Sequence, residues 1–409
     1  MLDFILKKFV PFGLARTLSL AGIPLMQFAV MLLCSKEEAG KFYLVSNAAF
    51  VASQIADLGI SRAFPVFFAA EKETPANLAE IISLRLITAI LLGSGFIFIN
   101  GFGEISWSWQ TTGLTAMLFV TGRIILLGNQ GYRHAHQEFN LLLRGAFFHI
   151  FSSISFIIIA LIFGRFGAET ALVALTLGIW TELLLIDAPQ ARPIRFIGGN
   201  FRAAIKTVTP FATVGLSSAL YGRIETFVAG KLLAPAALGI FGTLDSAFKI
   251  CIWPSYVSAQ TVFPAICEQV KQKNSKGLGE VARRHFKLGA MICILAMLTT
   301  FIIWYLRFSG NPEITMGALI LWLSIWMTIP NAFMIPLFYS MGLEAVLARS
   351  MFFLALIRGF LAVVLAINFG FVGLCASHSV ITLSAVLVLW TKIRLRLQNL
   401  SQADAAESK

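Results

Sequence analysis

The sequence predicts an all-α polytopic membrane protein of about twelve transmembrane helices. Three observations carry this. Of the 409 residues, 58% are hydrophobic and only 13% are charged, with a mean hydropathy of +0.82. Soluble domains hold about 45–50% apolar and about 25% charged residues. The apolar excess comes in continuous blocks such as Phe352 to Phe369, near the roughly 20 residues a helix needs to cross the hydrocarbon. Lipid gives backbone N–H and C=O groups no partners, so such blocks must be helices. The alternation over about ten residues that marks a membrane barrel is not seen.

In order, the predicted spans are 12–33, 42–69, 79–100, 111–129, 141–163, 168–187, 207–230, 237–267, 286–307, 316–341, 346–368 and 370–391. Residues 2–10 form a short interfacial helix, with Lys7 and Lys8 among the headgroups. The apolar run after these lysines resembles a secretory signal but is too long and lacks a small-residue cleavage site, so it is an uncleaved first span. Residues 393–409 form a basic and then polar cytoplasmic tail, expected to be disordered.

The formal net charge of +12 would suggest nucleic acid in a soluble chain. Here the basic residues lie mainly between spans, so membrane orientation explains them and no nucleic-acid partner is expected. One set of alternate loops holds Lys7, Lys8, Arg133, Arg192, Lys271, Arg283, Arg284, Lys392 and Arg394 among others. The other set holds Lys36, Lys41, Arg165, Lys231 and Arg307. The bias, roughly four to one, puts both termini in the cytoplasm. Trp107, Trp109, Trp304 and Tyr305 fall at outer interfaces and Trp390 at the inner one.

A shift of 199 lays residues 33–65 on 232–264 without a gap: Gly40 on Gly239, Phe42 on Phe241, Ala48 on Ala247, Phe64-Pro65 on Phe263-Pro264. Span two then matches span eight, and an even shift of six spans keeps the orientation. The expected organisation is a six-helix bundle over 1–203, a second over 204–392 and the tail at 393–409, with a central cavity between the bundles.

Ionisable side chains within spans are costly, and each is a functional hypothesis. The set is Arg16, Asp57, Arg62, Arg85, Arg123, Glu182, Arg223, Glu225, Asp245, Lys249 and Arg358, seven bases against four acids. Arg16, Arg85 and Glu182 lie near helix ends and are expected to snorkel. Asp245 and Lys249 are four apart, acid first, and share a face as a neutral pair or as part of a site. Arg223 and Glu225 face different directions and need partners on other helices or a wet cavity. Arg358, near mid-span, is a substrate-facing cation or an interhelical lock to Asp57 or Glu225. The excess of bases favours a cavity that accepts anions: Arg123, Arg223, Arg358, Arg62 and Lys249 would bind, with Asp57, Glu225 and Asp245 as coupling or gating acids.

Pro24, Pro65, Pro254, Pro264, Pro330 and Pro336 interrupt spans and favour kinks. Cys34, Cys251, Cys267, Cys293 and Cys375 show neither disulfide nor zinc spacing. His134 and His136, near Glu138, belong to a solvated loop, so no metal is expected. No phosphate-cradling glycine loop and no folded extramembrane catalytic segment is seen, which excludes an ATPase module and argues against an enzyme.

Two stretches resemble a known family. Residues 34–69 open Cys-Ser-Lys-Glu-Glu-Ala-Gly-Lys-Phe-Tyr and continue to Ala56-Asp57-Leu58-Gly59-Ile60-Ser61. Residues 223–248 carry Arg223-Ile-Glu225, the turn Gly239-Ile240-Phe241 and Asp245-Ser-Ala-Phe248. Both are similar to the polysaccharide transporters, including O-antigen flippases, of the multidrug/oligosaccharidyl-lipid/polysaccharide exporter superfamily. Glu225 departs from the aspartate common there. The resemblance implies a flippase of the bacterial inner membrane that moves a polyprenyl-pyrophosphate-linked oligosaccharide by alternating access. It implies no cofactor, with drive from the membrane potential, protons or sodium left open. Implied partners are the lipid-linked oligosaccharide, membrane lipids and the polysaccharide polymerase machinery. A drug/cation antiporter of a sister branch and a membrane-embedded polymerase are the competing expectations.

Overall fold

The computed structural model describes residues 10–59, 78–98, 109–136, 138–187, 201–272, 275–308 and 311–407. Its elements are α1 (Val10–Leu33), α2 (Lys36–Ala56), α3 (Leu78–Phe98), α4 (Trp109–Ala135), α5 (Phe139–Ile162), α6 (Ala168–Ile186), α7 (Phe201–Leu232), α8 (Pro235–Lys271), α9 (Ser275–Phe308), α10 (Pro312–Leu323), α11 (Ile325–Ser340) and α12 (Glu344–Glu407). Every described element is a helix, and seven helical stretches are long and apolar enough to cross a membrane. The count is eight when the bent pair Gly13–Ser19 and Gly22–Leu33 is taken as one span. The chain is a polytopic membrane protein.

The helix ends follow local chemistry. The Ser35 side chain accepts from the Glu38 N–H at 3.1 Å and caps α2, which therefore begins at Lys36 and not near 42. This helix ends at a tight turn in which Leu58 and Gly59 have φ of 51° and 69°. A methyl group on Gly59 would overlap the Phe211 carbonyl of α7, so glycine is required there both for φ and for space. Residues 60–77 lie outside the described residues, so Arg62 and the later part of the predicted 42–69 span are not placed. The same holds for the interfacial helix at 2–10, apart from Val10, which opens α1. In α1 the 46° bend falls between Ser19 and Gly22, where Pro24 removes the bond to the carbonyl four residues back.

The predicted 316–341 span lies within Pro312–Ser340, one stretch able to cross the membrane, in which α10 and α11 meet at Ser324, whose hydroxyl turns back to the Leu321 carbonyl at 2.6 Å. One other expectation changes. The tail is not disordered through most of its length: α12 continues helical to Glu407. Leu, Arg, Gln and Ala dominate 395–406, and all are strong helix formers, so polarity alone does not end the helix. The one non-helical residue of α12 is Gly370, with φ 54° and ψ −130°, and it separates the predicted spans 346–368 and 370–391.

Lipid-facing surface is visible on single helices. On α5, Phe147, Phe151, Ile154, Ile158 and Ile162 are all exposed and spaced by three or four, one apolar stripe. Such a stripe is unfavourable in water and ordinary against acyl chains. By contrast, residues Phe42 to Ala49 of α2 are buried on all sides.

By internal packing the chain divides into two compact units, Met1–Ala247 and Phe248–Lys409. Within the first unit, the 199-residue shift reappears as a physical contact. A methyl group on Gly40 would overlap the carbonyl of Pro235, and one on Gly239 would overlap that of Lys36. Both Lys36/Pro235 and Gly40/Gly239 are pairs 199 apart, so the starts of α2 and α8 cross in a self-complementary contact. Tyr43 packs in the space left by Gly242, again its counterpart at 199.

Candidate functional site

The first unit holds most of the intramembrane charge. At its edge lies a structural ion pair: Arg85 of α3, 2% exposed, donates to the Asp57 carboxylate at the end of α2. Arg85 also approaches the Ile124 carbonyl of α4 at 3.5 Å, so one side chain links three helices. This corrects the expectation that Arg85 snorkels. The Asp57 carboxylate thus has a basic partner within the first unit. Breaking such a pair from one side costs about 3–5 kcal/mol, because it strands a buried charge.

A second centre lies around Tyr43. Its hydroxyl donates to Asp245 Oδ2 at 2.7 Å and lies 2.9 Å from Thr226 Oγ1. Asn47, one turn along α2, bonds the Tyr43 carbonyl through Nδ2 at 2.7 Å and accepts from Arg223 of α7 through Oδ1. Glu225 is buried on the same helix as Arg223. Lys249, half-buried, stands four residues beyond Asp245 on α8.

Phe50 joins this centre to α4. The Arg123 Cζ lies 4.4 Å and the Arg223 Cζ 4.5 Å from the centroid of its ring. The two guanidinium carbons are therefore within about 9 Å of one another. A ring face attracts cations through its quadrupole, by about 0.5–2 kcal/mol per contact. Arg123 is buried, while Arg223 and Phe50 are half-buried. The cluster thus has a deep side and an accessible side. Each guanidinium fork can pair with the oxygens of a carboxylate or phosphate group.

Behind Arg123 is a small recess lined by Ser19, Gly22, Phe50, Arg123, His149 and Leu175 among others, with room for about one water molecule. Next to it lies a dyad that the sequence did not announce. Glu182 of α6 is fully buried; its Oε2 accepts from His149 Nδ1 at 2.7 Å and its Oε1 from Gln130 Nε2, also at 2.7 Å. Gln130 also donates to Ser19 Oγ at 2.9 Å. Glu182 therefore does not snorkel: its helix turns it inward, onto a histidine that reads in sequence as one apolar-face residue among phenylalanines.

Arg358 belongs to the second unit. It is 4% exposed and donates to His378 Nδ1 within α12, across the Gly370 break. The imidazole stands edge-on to Phe248 at 4.7 Å. An imidazole nitrogen that accepts is unprotonated, so Arg358 keeps its positive charge in this contact. A partner of Arg358 within its own unit is thus a histidine. Ser258 and the Ile329 carbonyl hold His285, at 3.1 and 3.3 Å.

Arg16 lies among the residues whose side chains are not described. All five cysteines are free, and among the described residues no group of three His, Cys, Asp or Glu is placed to hold a metal ion. His136 stacks on Tyr132 at 4.2 Å.

No protein-family model matches the sequence, and no curated protein does. Solved structures do resemble it over nearly its whole length. An outward-facing multidrug resistance MATE family transporter of the MOP superfamily is 16% identical, with TM-score 0.67, covering 97% of this chain and 96% of the other. The inward-facing conformation of such a transporter is 15% identical with TM-score 0.67, over 96% and 95%. A MOP superfamily transporter from Pyrococcus furiosus, described as having a binding pocket of reverse polarity, is 15% identical with TM-score 0.65, over 97% and 96%. The chain has the fold of MOP superfamily transporters.

Proposed function

We propose that this protein is a transporter, and that its load is a lipid-linked oligosaccharide with a pyrophosphate headgroup, carried across the bacterial inner membrane by alternating access. The observation that carries the reading is the gathering of Arg123 and Arg223 on the Phe50 ring. A pyrophosphate between lipid and sugar has about two negative charges, and guanidinium forks match its oxygens. Unpaired sugar hydroxyls cost a few kcal/mol each in hydrocarbon, so the headgroup needs a polar route while the polyprenyl chain stays in lipid. Arg358, positively charged beside His378, and Lys249 are further cations of the route, and Arg62 belongs to the same set by sequence.

The fold supports a mechanism with two alternating states, since structures of this fold are described in both outward-facing and inward-facing conformations. Both termini lie in the cytoplasm under this reading, and the chain is organised as two six-helix bundles over 1–203 and 204–392. With the cell interior negative, outward movement of an anion gains about 2.3 kcal/mol per charge per 100 mV. The potential therefore drives release without a cofactor. Polymerase machinery is the natural partner on the outer face, where the delivered repeat units are consumed.

Reconstitution into vesicles with lipid-linked oligosaccharide, with headgroup accessibility read by an impermeant sugar-modifying reagent, tests this. A protein-dependent rise in exposure of the headgroup on the far side is expected. No rise above empty vesicles would remove the reading.

A second reading has its own observation: Asp57, Glu182, Glu225 and Asp245 are four buried acids in the first unit. Acids of this kind suit a drug/cation antiporter, and two structural neighbours are described as multidrug resistance transporters. Resistance conferred on a pump-deficient strain separates the two. Asp57 and Glu182 each already face a basic partner, which favours the anionic load.

A further inference from the structure

One residue of the cationic centre is held at both ends of its side chain. Asn47 of α2 is 1% exposed. Its Nδ2 donates to the Tyr43 carbonyl at 2.7 Å, and its Oδ1 accepts from Nη1 of Arg223 on α7. The amide fits only this way round: flipped, it would set oxygen against a carbonyl and N–H against a guanidinium N–H. The Tyr43 side chain is itself tied to Thr226 of α7 and Asp245 of α8, so the residue that orients the amide is anchored. Three positions on, the same face of α2 offers the Phe50 ring, with the Arg223 Cζ 4.5 Å from its centroid. Asn47 thus holds the guanidinium by an N–H edge while Phe50 lies against it.

The same helix makes a second arginine contact of the opposite kind. At its end Asp57 receives Arg85 as an ion pair, and those two charges cancel. Both contacts bring a side-chain oxygen from α2 to a guanidinium N–H. One oxygen belongs to a carboxylate and the other to a carboxamide. An amide oxygen accepts the hydrogen bond without bringing a net charge. Asn47 therefore aims Arg223 and does not discharge it. A carboxylate at this position would aim Arg223 equally well, and an arriving anion would then have to compete with it.

We propose that Asn47 is the positioning residue that sets this site's preference for a phosphate-bearing load: its amide oxygen orients Arg223 on the Phe50 ring beside Arg123, and, being uncharged, subtracts nothing from the positive charge there. This rests on the anionic reading of the Arg123–Phe50–Arg223 cluster and deepens it. Asn47 acts through Arg223 and makes no contact with the load of its own.

The test is titration calorimetry of inorganic pyrophosphate into the purified full chain, for the native protein, Asn47→Ala and Asn47→Asp. Alanine removes the aim and keeps the charge, and is expected to bind about tenfold more weakly than native, the effect of one hydrogen bond to a charged group. Aspartate keeps an acceptor for Arg223 but adds a competing charge, and is expected to bind about a hundredfold more weakly than native. The unfolding temperature should run the other way, with Asn47→Asp at or above Asn47→Ala, because aspartate retains the bond to Arg223. A residue that served the fold alone would lose affinity and stability in the same order. Should the aspartate variant fail to fold, a double-mutant cycle decides. Asn47→Ala in an Arg223→Gln background should change affinity by less than about twofold, since the residue it acts through is gone. Aspartate binding as tightly as alanine, an alanine variant of native affinity, or the same loss in both backgrounds each overturns the proposal and leaves the anionic reading standing. Absence of pyrophosphate binding by the native chain overturns both.

Discussion

Gly40 and Gly239, 199 residues apart, meet backbone to backbone where α2 and α8 begin. Each presents its Cα face to a carbonyl four residues before the other: Gly40 to that of Pro235, Gly239 to that of Lys36. The contact maps onto itself when the two segments are exchanged. A correspondence that was only a row of matched letters is therefore also a packing arrangement, and it leaves no room for a side chain on either partner.

Gly40→Leu and Gly239→Leu should therefore each destabilise the protein. Overpacking a tight contact costs about 1–3 kcal/mol, and more where the obstacle is backbone that cannot rotate away. The expected outcome is an apparent unfolding temperature in detergent several degrees lower, with Gly95→Leu, which meets open space, near the native value. Equal temperatures for all three variants would contradict the close crossing.

Asp57 and Arg85 should behave as a unit. Either Asp57→Ala or Arg85→Ala alone is expected to lose about 3–5 kcal/mol and most of the monodisperse yield. The paired variant Asp57→Leu with Arg85→Met should recover much of it, since no charge is then stranded. Size-exclusion profiles and thermal unfolding decide this. If Asp57→Ala is well folded and only transport is lost, Asp57 is a coupling acid and not half of a structural pair.

Phe50→Leu should weaken pyrophosphate binding about tenfold, because both guanidinium groups lose the same ring and two contacts of about 0.5–2 kcal/mol each are removed. Phe50→Tyr keeps a ring face and should stay within about threefold of the native affinity. Calorimetry with inorganic pyrophosphate reads the difference. Similar affinities for the leucine and native proteins would show that the ring does not position the arginines.

Arg358→Ala should lower vesicle transport about tenfold, a barrier increase of about 1.4 kcal/mol, with expression retained. Here the partner is a neutral imidazole. Removing the arginine deletes the donor to His378 Nδ1. Native transport rates in the variant would take Arg358 out of the route.

Much of the fold was legible because hydrophobic blocks of bilayer length allow only one local answer. The predicted spans 79–100, 141–163 and 168–187 coincide with α3, α5 and α6 to within three residues. Caps shifted other ends: Ser35 brings α2 forward to Lys36. The helical tail departs from the expectation, since it turns on backbone bonding that hydropathy does not record. At the site, Arg123 and Arg223 could be named as intramembrane cations, but nothing in their spacing pointed to Phe50. Glu182 was assigned to the interface because it lies near the end of its span. His149 gave no signal beyond being a histidine among phenylalanines, and the glycines that make room for it lie 127 and 29 positions away, at Gly22 and Gly178.

By itself the sequence determined that this is a helical membrane protein, that a segment recurs after 199 residues and that its apolar blocks carry an excess of basic side chains. Those follow from composition and order, because lipid forces each apolar block to satisfy its own backbone. Only the tertiary structure decided which charges are spent on one another, as in Asp57–Arg85, and which converge, as Arg123 and Arg223 do on Phe50. The reason is that the strength of a buried charge depends on what lies within a few ångströms, and those neighbours come from helices far apart in the chain.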